Sequence, residues 1–373
     1  MPDVRVADVS KRFQDVVALD KVSLEIKDRE YVSIIGPSGC GKSTLLKCIA
    51  GIIKQDSGQI SIGDREVTVL PPEERQLGYM FQEIALFPHM SSWDNVGYGP
   101  RVRGKSRDIT RRFVGQVMEM TRLKIGPRAY PDELSGGARQ KTALARAIAA
   151  EPQLMLLDEP LGALDAHVRA ALRYELKRLV TELELTAIHV THDQEEAMSI
   201  SDRLVIMKAG RVVEVGTPLE LYLHPKRLFT QNFLGEANFI PGDVMECDPR
   251  HLTVSVNGWK LDLKGSGFIK GGTAVLAVRP ESVILSPVHA QADSEWVGVV
   301  EEQMLLGDCI RTEVDLDNGT RVVSQTPNQG VQPVRGVGER VKVAFAAGGL
   351  IPYQFPARGL DSELSLDDLA GGT

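Results

Sequence analysis

Three short stretches hold residue types that can do phosphate chemistry. The first is Gly36-Pro37-Ser38-Gly39-Cys40-Gly41-Lys42-Ser43-Thr44, which satisfies the phosphate-loop pattern G-x-x-x-x-G-K-[ST] at every position. Such a loop turns its backbone amides inward, the following helix start adds partial positive charge, and Lys42 supplies a full charge. Ser43 is placed to hold Mg²⁺ beside a nucleoside triphosphate. The second stretch is Leu154-Met155-Leu156-Leu157-Asp158-Glu159-Pro160, an apolar run that delivers two carboxylates at its end. Asp158 can hold Mg²⁺ through water. Glu159, facing differently, can polarise an attacking water, and hydrolysis needs both roles. An acidic strand end before a proline turn is the plain alternative, and the preceding phosphate loop weighs against it. The third stretch is Leu134-Ser135-Gly136-Gly137-Ala138-Arg139-Gln140, followed by Ala143, Leu144, Ala147 and Ile148 at helical spacing. Ser-Gly-Gly there makes a second anion-ready helix start. One nucleotide hardly needs two such sites from one subunit, so this one is expected to serve a second copy's nucleotide.

These residues need elements to hold them. Tyr31-Val32-Ser33-Ile34-Ile35 reads as a buried strand entering the loop, and Leu45, Leu46, Ile49, Ile52 and Ile53 as the helix leaving it. Leu154–Leu157 and Thr186–Thr191 read as further buried strands. Between them, Val168, Leu172, Leu176, Leu179, Val180 and Leu183 keep helical spacing. Buried strands alternating with helices predict an α/β layer structure with a mostly parallel sheet over residues 1–235. The pattern changes near Gly235–Gly242. Leu252–Val256 and Trp259–Leu263 flank Asn257-Gly258, a two-residue hairpin signal, and Asp317-Asn318-Gly319 sits similarly between apolar runs. Residues 236–356 therefore read as a small β-barrel or sandwich. The tail, 357–373, carries Asp361, Glu363, Asp367 and Asp368 and is expected to be disordered.

At 373 residues the chain has room for two or three domains. A net charge of −7 argues against a general nucleic-acid binder. The N-terminus shows no basic region followed by an apolar segment, and no run approaches the ~18 apolar residues a spanning helix needs. The protein is expected to be soluble by itself and to need a partner for any membrane role. Cys40, Cys48, Cys247 and Cys309 form no C-x-x-C pair, so free thiols in a reducing cytosol are expected. Because Cys40 lies inside the phosphate loop, alkylation there is expected to block nucleotide binding.

The order of these motifs, continued by Leu161-Gly162-Ala163-Leu164-Asp165 and His192, resembles an ATP-binding-cassette ATPase over residues 1 to about 356. The closest branch is similar to the ATPase subunits of carbohydrate and polyamine importers. The resemblance implies a P-loop cassette with a helical subdomain over about 83–150, followed by an OB-like β domain. It further implies that Phe13 stacks on adenine, although a core Phe is an equal reading. Gln82 would reach Mg²⁺ and water while reporting to a membrane subunit. Glu83–Trp93, with Ala85-Leu86-Phe87-Pro88-His89-Met90, would line the groove for that subunit's helix, or else pack the subdomain. Asp165 would contact the partner copy, His192 would sense the γ-phosphate, and His189 would be structural. Two positions depart from the family: Ala138 stands where Gln is usual, and Lys141 where Arg is common. Loss of one side-chain hydrogen bond at Ala138 is worth ~0.5–1.5 kcal/mol and leaves the Ser135-Gly136-Gly137 contact in place.

Leu234–Asn238 and Val278–Val283 resemble the transport-associated OB-type domain of these importers. Residues 243–356 hold four Lys and six Arg against seven Asp and seven Glu, so a nucleic-acid groove is not expected. The reading that results is an ATP-hydrolysing motor working as a homodimer with two permease subunits and an extracytoplasmic solute-binding protein. Its place would be the cytoplasmic face of the membrane. A soluble cassette protein acting on ribosomes or DNA, and a regulatory module without useful hydrolysis, are the rivals. Leu306–Thr320 looks slightly closer to polyamine-type members than to sugar-type ones, with ferric iron and other solutes still open.

Overall fold

The computed structural model describes residues 3–366, apart from 124, 125, 127, 163, 164, 289–295 and 329–335. It falls into two compact units, one ending at Leu221 and one running Tyr222–Leu366. That division lies upstream of the 235/236 boundary expected from the sequence. The reason is packing: Leu228, on the helix Leu228–Phe233, buries against Val275, Ala277 and Tyr353, and the Tyr353 hydroxyl donates to Pro225 O at 2.7 Å.

The first unit is built on a six-stranded sheet in the order Arg211–Gly216, Arg203–Lys208, Tyr31–Ile35, Thr186–Val190, Leu154–Asp158, Leu77–Met80. All neighbours are parallel except the first pair. The inner strands are buried on both faces, which is why they read as unbroken apolar runs. Alternation still divides them: Leu154 and Leu156 join one core with the helix Lys42–Ala50, while Met155 and Leu157 join another with Leu144 and Leu176. Register aligns Ile34 with Val190, Val190 with Asp158, and Met80 with Leu157. The residues that follow, Gly36, His192, Glu159 and Gln82, therefore leave the sheet at one carboxyl edge, where parallel sheets present ligands.

A four-stranded antiparallel sheet (Val16–Ile26, Val4–Phe13, Ser57–Ile62, Arg65–Glu66) covers the first core, and the sequence reading had no place for it. The helices Ser92–Val96, Tyr98–Val102, Arg107–Met120 and Gly136–Ala149 stand over the second. The helix leaving the phosphate loop stops at Ala50, short of Ile52 and Ile53. Gly51 adopts φ +77° and returns its N–H to Lys47 and Cys48 carbonyls. The guanidinium of Arg75 adds bonds to the same helix end, to Cys48 O at 2.9 Å and Ile49 O at 2.8 Å.

The second unit has two five-stranded antiparallel sheets enclosing one core that includes Ile240, Val254, Leu276, Val300, Val314 and Val322. Asn257 and Gly258 both have positive φ, as the two-residue hairpin requires. Against the expectation of a disordered tail from 357, Leu360–Leu364 forms a short helix. Leu360 and Leu364 pack on the Val275–Tyr353 cluster, and Asn232 Nδ2 donates to Leu364 O at 2.8 Å. The rest of that tail, 367–373, lies outside the described residues.

Candidate nucleotide site

Two glycines fix the shape of the phosphate loop. Gly41 has φ +102°, and a Cβ there would lie 2.3 Å from Ala18 O. A Cβ on Gly36 would lie 2.2 Å from Met207 O. Neither position admits a side chain, so the backbone itself lines the cradle. Lys42 is buried, and its Nζ donates to Gly36 O at 2.8 Å and Pro37 O at 2.7 Å. The ammonium is thus held inside the ring that the loop traces, beside the amides of a helix N-terminus. Cationic and amide-rich, this cradle suits phosphate. Cys40 is 1% exposed with Sγ 3.8 Å from Lys42 Nζ, so a thiol reagent reaches it only if the loop opens. Pro37, Ser38, Gly39 and Thr44 complete the segment between strand and helix.

The two carboxylates take different surroundings. Asp158 is buried; its Oδ1 accepts from Ser43 Oγ at 2.8 Å and its Oδ2 from the Tyr79 hydroxyl at 3.1 Å. Burial, and then the Asp158 charge, hold the Tyr79 phenol well above its ordinary pKa, so it stays a donor. Glu159 sits at φ +46°, a left-handed conformation that costs a non-glycine residue about 1–3 kcal/mol and is typical of functional sites. The turn carries its side chain away from Asp158. Its Oε2 accepts from Gln82 Nε2 at 2.9 Å and lies 3.4 Å from His192 Nδ1, on a side chain more than half exposed. Ser43 and Asp158 bring hard oxygen donors together, a pair that fits Mg²⁺, with the Ser43 hydroxyl already pointing at the carboxylate, while Gln82 is tied to the neighbouring Glu159.

Lys42, Ser43, Gln82, Asp158, Glu159 and His192 come together in this way, with Tyr79 added. Among the described residues, no hydrogen bond links Phe13, Ser135, Gly136, Gly137 or Asp165 to that cluster. Phe13 is 45% exposed with Lys11 Nζ 5.4 Å above its ring, which rules out the core reading. Asp56 fixes this segment by accepting from Lys11 Nζ at 2.8 Å and Arg12 N at 2.7 Å. Ser135 caps the helix Gly136–Ala149, its Oγ accepting from Ala138 N at 3.3 Å, and both Ser135 and Gly136 face solvent. Lys141 pairs with Glu175 at 2.6 Å. Asp165, also exposed, caps the helix Ala166–Glu182 through Val168 N at 3.0 Å. Capped helix starts left open to solvent are what a second copy's ligand would need.

The segment after Gln82 is ordered by Asn95. Its Nδ2 donates to Phe87, Met90 and Ser91 carbonyls at 3.1, 3.0 and 3.1 Å, and its Oδ1 accepts from Phe87 N at 2.8 Å. Ile84, Leu86 and Trp93 partly pack on the second core, so subdomain packing uses some of the anchors expected for a docking groove. The sequence reading gave no role to Tyr79, Arg75 or Asp56. Tyr79 had a legible signal, since it lies three residues before Gln82 on a strand that had to neighbour Asp158. Arg75 and Asp56 act across 27 and 44 residues of chain, and nothing local marks them.

Residues 19–162 match the ABC transporter family, and residues 276–351 match the TOBE domain. A spermidine/putrescine import ATP-binding protein of Marinobacter nauticus is 40% identical over 349 residues, spanning 92% of this chain and 93% of the relative. An Fe(3+) ions import ATP-binding protein of Rhizobium meliloti is 40% identical over 315 residues, spanning 84% and 88%. Among solved structures, a dimeric ATP-binding cassette in a post-hydrolysis state with ADP and Pi superposes with a TM-score of 0.53 at 31% identity. It covers 58% of this chain and 98% of that one.

Proposed function

The chain belongs to the ABC transporter family as an importer-type ATPase, and from that premise we propose that it drives solute uptake by ATP-dependent closure of a homodimer. Two copies would meet head to tail under a two-fold axis. ATP would lie between Lys42, Ser43, Gln82, Asp158 and His192 of one copy and Ser135, Gly136 and Gly137 of the other, with Phe13 against adenine. Asp165 would contact the partner copy. The observation that carries this reading is Glu159, strained at φ +46° and bonded to Gln82 beside His192, next in the chain to Asp158, which is buried and accepts from Ser43. In the mechanism, Glu159 accepts the proton of the attacking water, Lys42 and the loop amides hold the phosphates, and His192 steadies the γ-phosphate end. Mg²⁺, held by Ser43, Asp158 and Gln82, would spread the phosphate charge. Cleavage of the γ-phosphate removes the bond between copies, and the pair opens.

Two permease subunits, docked near the segment after Gln82, would turn closure into alternating access for solute delivered by an extracytoplasmic binding protein. Among the described residues no helix is long and apolar enough to cross a membrane, and the proposed place is peripheral, on the cytoplasmic face. A polyamine is the proposed solute, favoured by the longer span of the match to the spermidine/putrescine relative than to the Fe(3+) relative. One experiment tests the whole reading: ATP turnover of the chain assembled with its permease and binding protein, with spermidine or Fe³⁺. Spermidine should stimulate turnover, and Glu159→Gln should lower it by about 10²–10⁴-fold while trapping ATP-bound dimers. Turnover undiminished in Glu159→Gln removes the mechanism, and stimulation by Fe³⁺ alone removes the polyamine assignment.

A further inference from the structure

A helical corner beyond the segment after Gln82 carries charge that the phosphate chemistry does not use. Residues 101–112 hold Arg101, Arg103, Lys105, Arg107, Arg111 and Arg112 against one carboxylate, Asp108, in a chain whose net charge is −7. They span the end of the helix Tyr98–Val102, a turn through Gly104 at φ +74°, and the start of the helix Arg107–Met120. Two of the cations are used inside the subdomain. Arg101 pairs with Asp94 at 3.0 Å, and Lys105 pairs with Glu151 and lies over the Phe113 ring. Arg103, Arg107, Arg111 and Arg112 are all exposed, and among the described residues their side chains form no hydrogen bond or ion pair.

That arrangement works against the fold. Arg107 is the first residue of its helix, where open amides favour an anion over a cation. Arg107 and Arg111 stand four residues apart, so their like charges repel. Asp108 has the same spacing from Arg112 and closes no ion pair with it. The buried face of this helix is Thr110, Val114, Val117 and Met118, so its packing does not call for the cations. Val102 and Ile109 also stay in water, 69% and 53% exposed, and a Cβ on Gly104 would meet nothing within 4 Å. Repulsion built into an exposed corner is relieved when a polyvalent anionic surface meets it.

We propose that this corner binds the anionic headgroups of the membrane at which the chain works, with Val102 and Ile109 entering among them beside the arginines. Guanidinium forks match the paired oxygens of a lipid phosphodiester, and aliphatic side chains favour the headgroup–acyl boundary over water. The apolar groups exposed between the arginines are aliphatic, so bases find no stacking platform and nucleic acid is the poorer fit. Position agrees. Through Asp94, Arg101 ties the corner to the helix Ser92–Val96, which follows the segment proposed to meet the permease. The proposal takes its place in the cell from that peripheral reading, while the lipid contact itself requires no permease.

The test is co-sedimentation of the full-length chain, without permease or nucleotide, with vesicles of about one-third phosphatidylglycerol in phosphatidylcholine at about 0.1 M salt. The native chain should bind them, ignore pure phosphatidylcholine vesicles, and be released by about 0.5 M salt. Arg103→Gln, Arg107→Gln, Arg111→Gln and Arg112→Gln combined should lower partitioning about 10²–10³-fold, at about fivefold for each cation. ATP turnover should not change, since none of the four belongs to the nucleotide site. Changing Arg250, Lys260, Lys264 and Lys270 to Gln removes the same charge from exposed positions of the second unit and should leave binding native. If the fourfold arginine variant does not fold, Arg111→Gln with Arg112→Gln reads the effect at about 25-fold. No binding to anionic vesicles, binding kept without the arginines, or equal loss in the second-unit variant each overturns the proposal. A chain that ignores the vesicles but binds a single-stranded RNA oligonucleotide through these arginines would make the corner a nucleic-acid site instead. Because neither permease nor solute enters the assay, its failure leaves the motor reading standing, and failure of permease assembly leaves the vesicle result readable.

Discussion

Asp158 and Glu159 are adjacent in the chain yet meet different chemistry, because one backbone torsion separates them. Asp158 ends the strand and is locked between Ser43 and Tyr79, while Glu159, at φ +46°, turns out to Gln82 and His192. Phe13 is the other residue whose setting decides its use. An aromatic ring 45% exposed at the end of Val4–Phe13 loses little by truncation unless a ligand covers it. Stacking contributes about 0.5–1.5 kcal/mol. Phe13→Ala should therefore raise KM for ATP about three- to tenfold and leave kcat nearly unchanged, as steady-state turnover against ATP concentration will read. A fall in kcat with KM constant would argue that Phe13 does not meet the base.

At the scale of elements, the helix Lys42–Ala50 is held at both ends by parts distant in sequence. Its start is shaped by Gly41 against Ala18 O, and its end by Arg75, which is 4% exposed and bonds Cys48 O, Ile49 O and Leu70 O. Arg75 has no carboxylate among these partners, so its value lies in satisfying carbonyls that a terminating helix leaves open. Leaving such acceptors unpaired costs about 1–3 kcal/mol each. Arg75→Met should lower the melting temperature of the first unit by about 5–10 °C, measured by calorimetry, and Arg75→Lys should restore only part because an ammonium cannot fork across three acceptors. A melting curve unmoved by Arg75→Met would remove the capping role.

At the scale of the whole molecule, the open question is how two half-sites become one. The Lys42–Glu159 cluster and the Ser135–Gly137 helix start are both intact in one chain, and no hydrogen bond among the described residues joins them. The dimeric cassette that superposes with this chain supports assembly across two copies. Complementation measures it. Lys42→Ala and Ser135→Arg should each abolish turnover alone, and mixing the two should restore it, since a mixed dimer holds one site with both halves native. Mixtures that stay inactive would mean that both residues serve the same subunit's nucleotide.

Local pattern sufficed for what repeats at short range. Lys42, Ser43, Asp158 and Glu159 were legible because a phosphate cradle and a strand-end carboxylate pair are built from contiguous residues, and the Asn257-Gly258 hairpin because its turn needs two positive φ angles. Long-range packing decided the rest. The unit boundary at Leu221 follows from Leu228 burying against Val275 and Tyr353, and the short helix Leu360–Leu364 survives an acidic composition because two leucines find the same cluster. The stop at Gly51 overrode the helical spacing of Ile52 and Ile53. Glu196 and His189, seven residues apart in sequence, become partners only because strand and helix bring two buried, otherwise unbonded atoms face to face. Spacing along a chain specifies which groups are neighbours in one element; it cannot specify which groups water abandons together when elements pack.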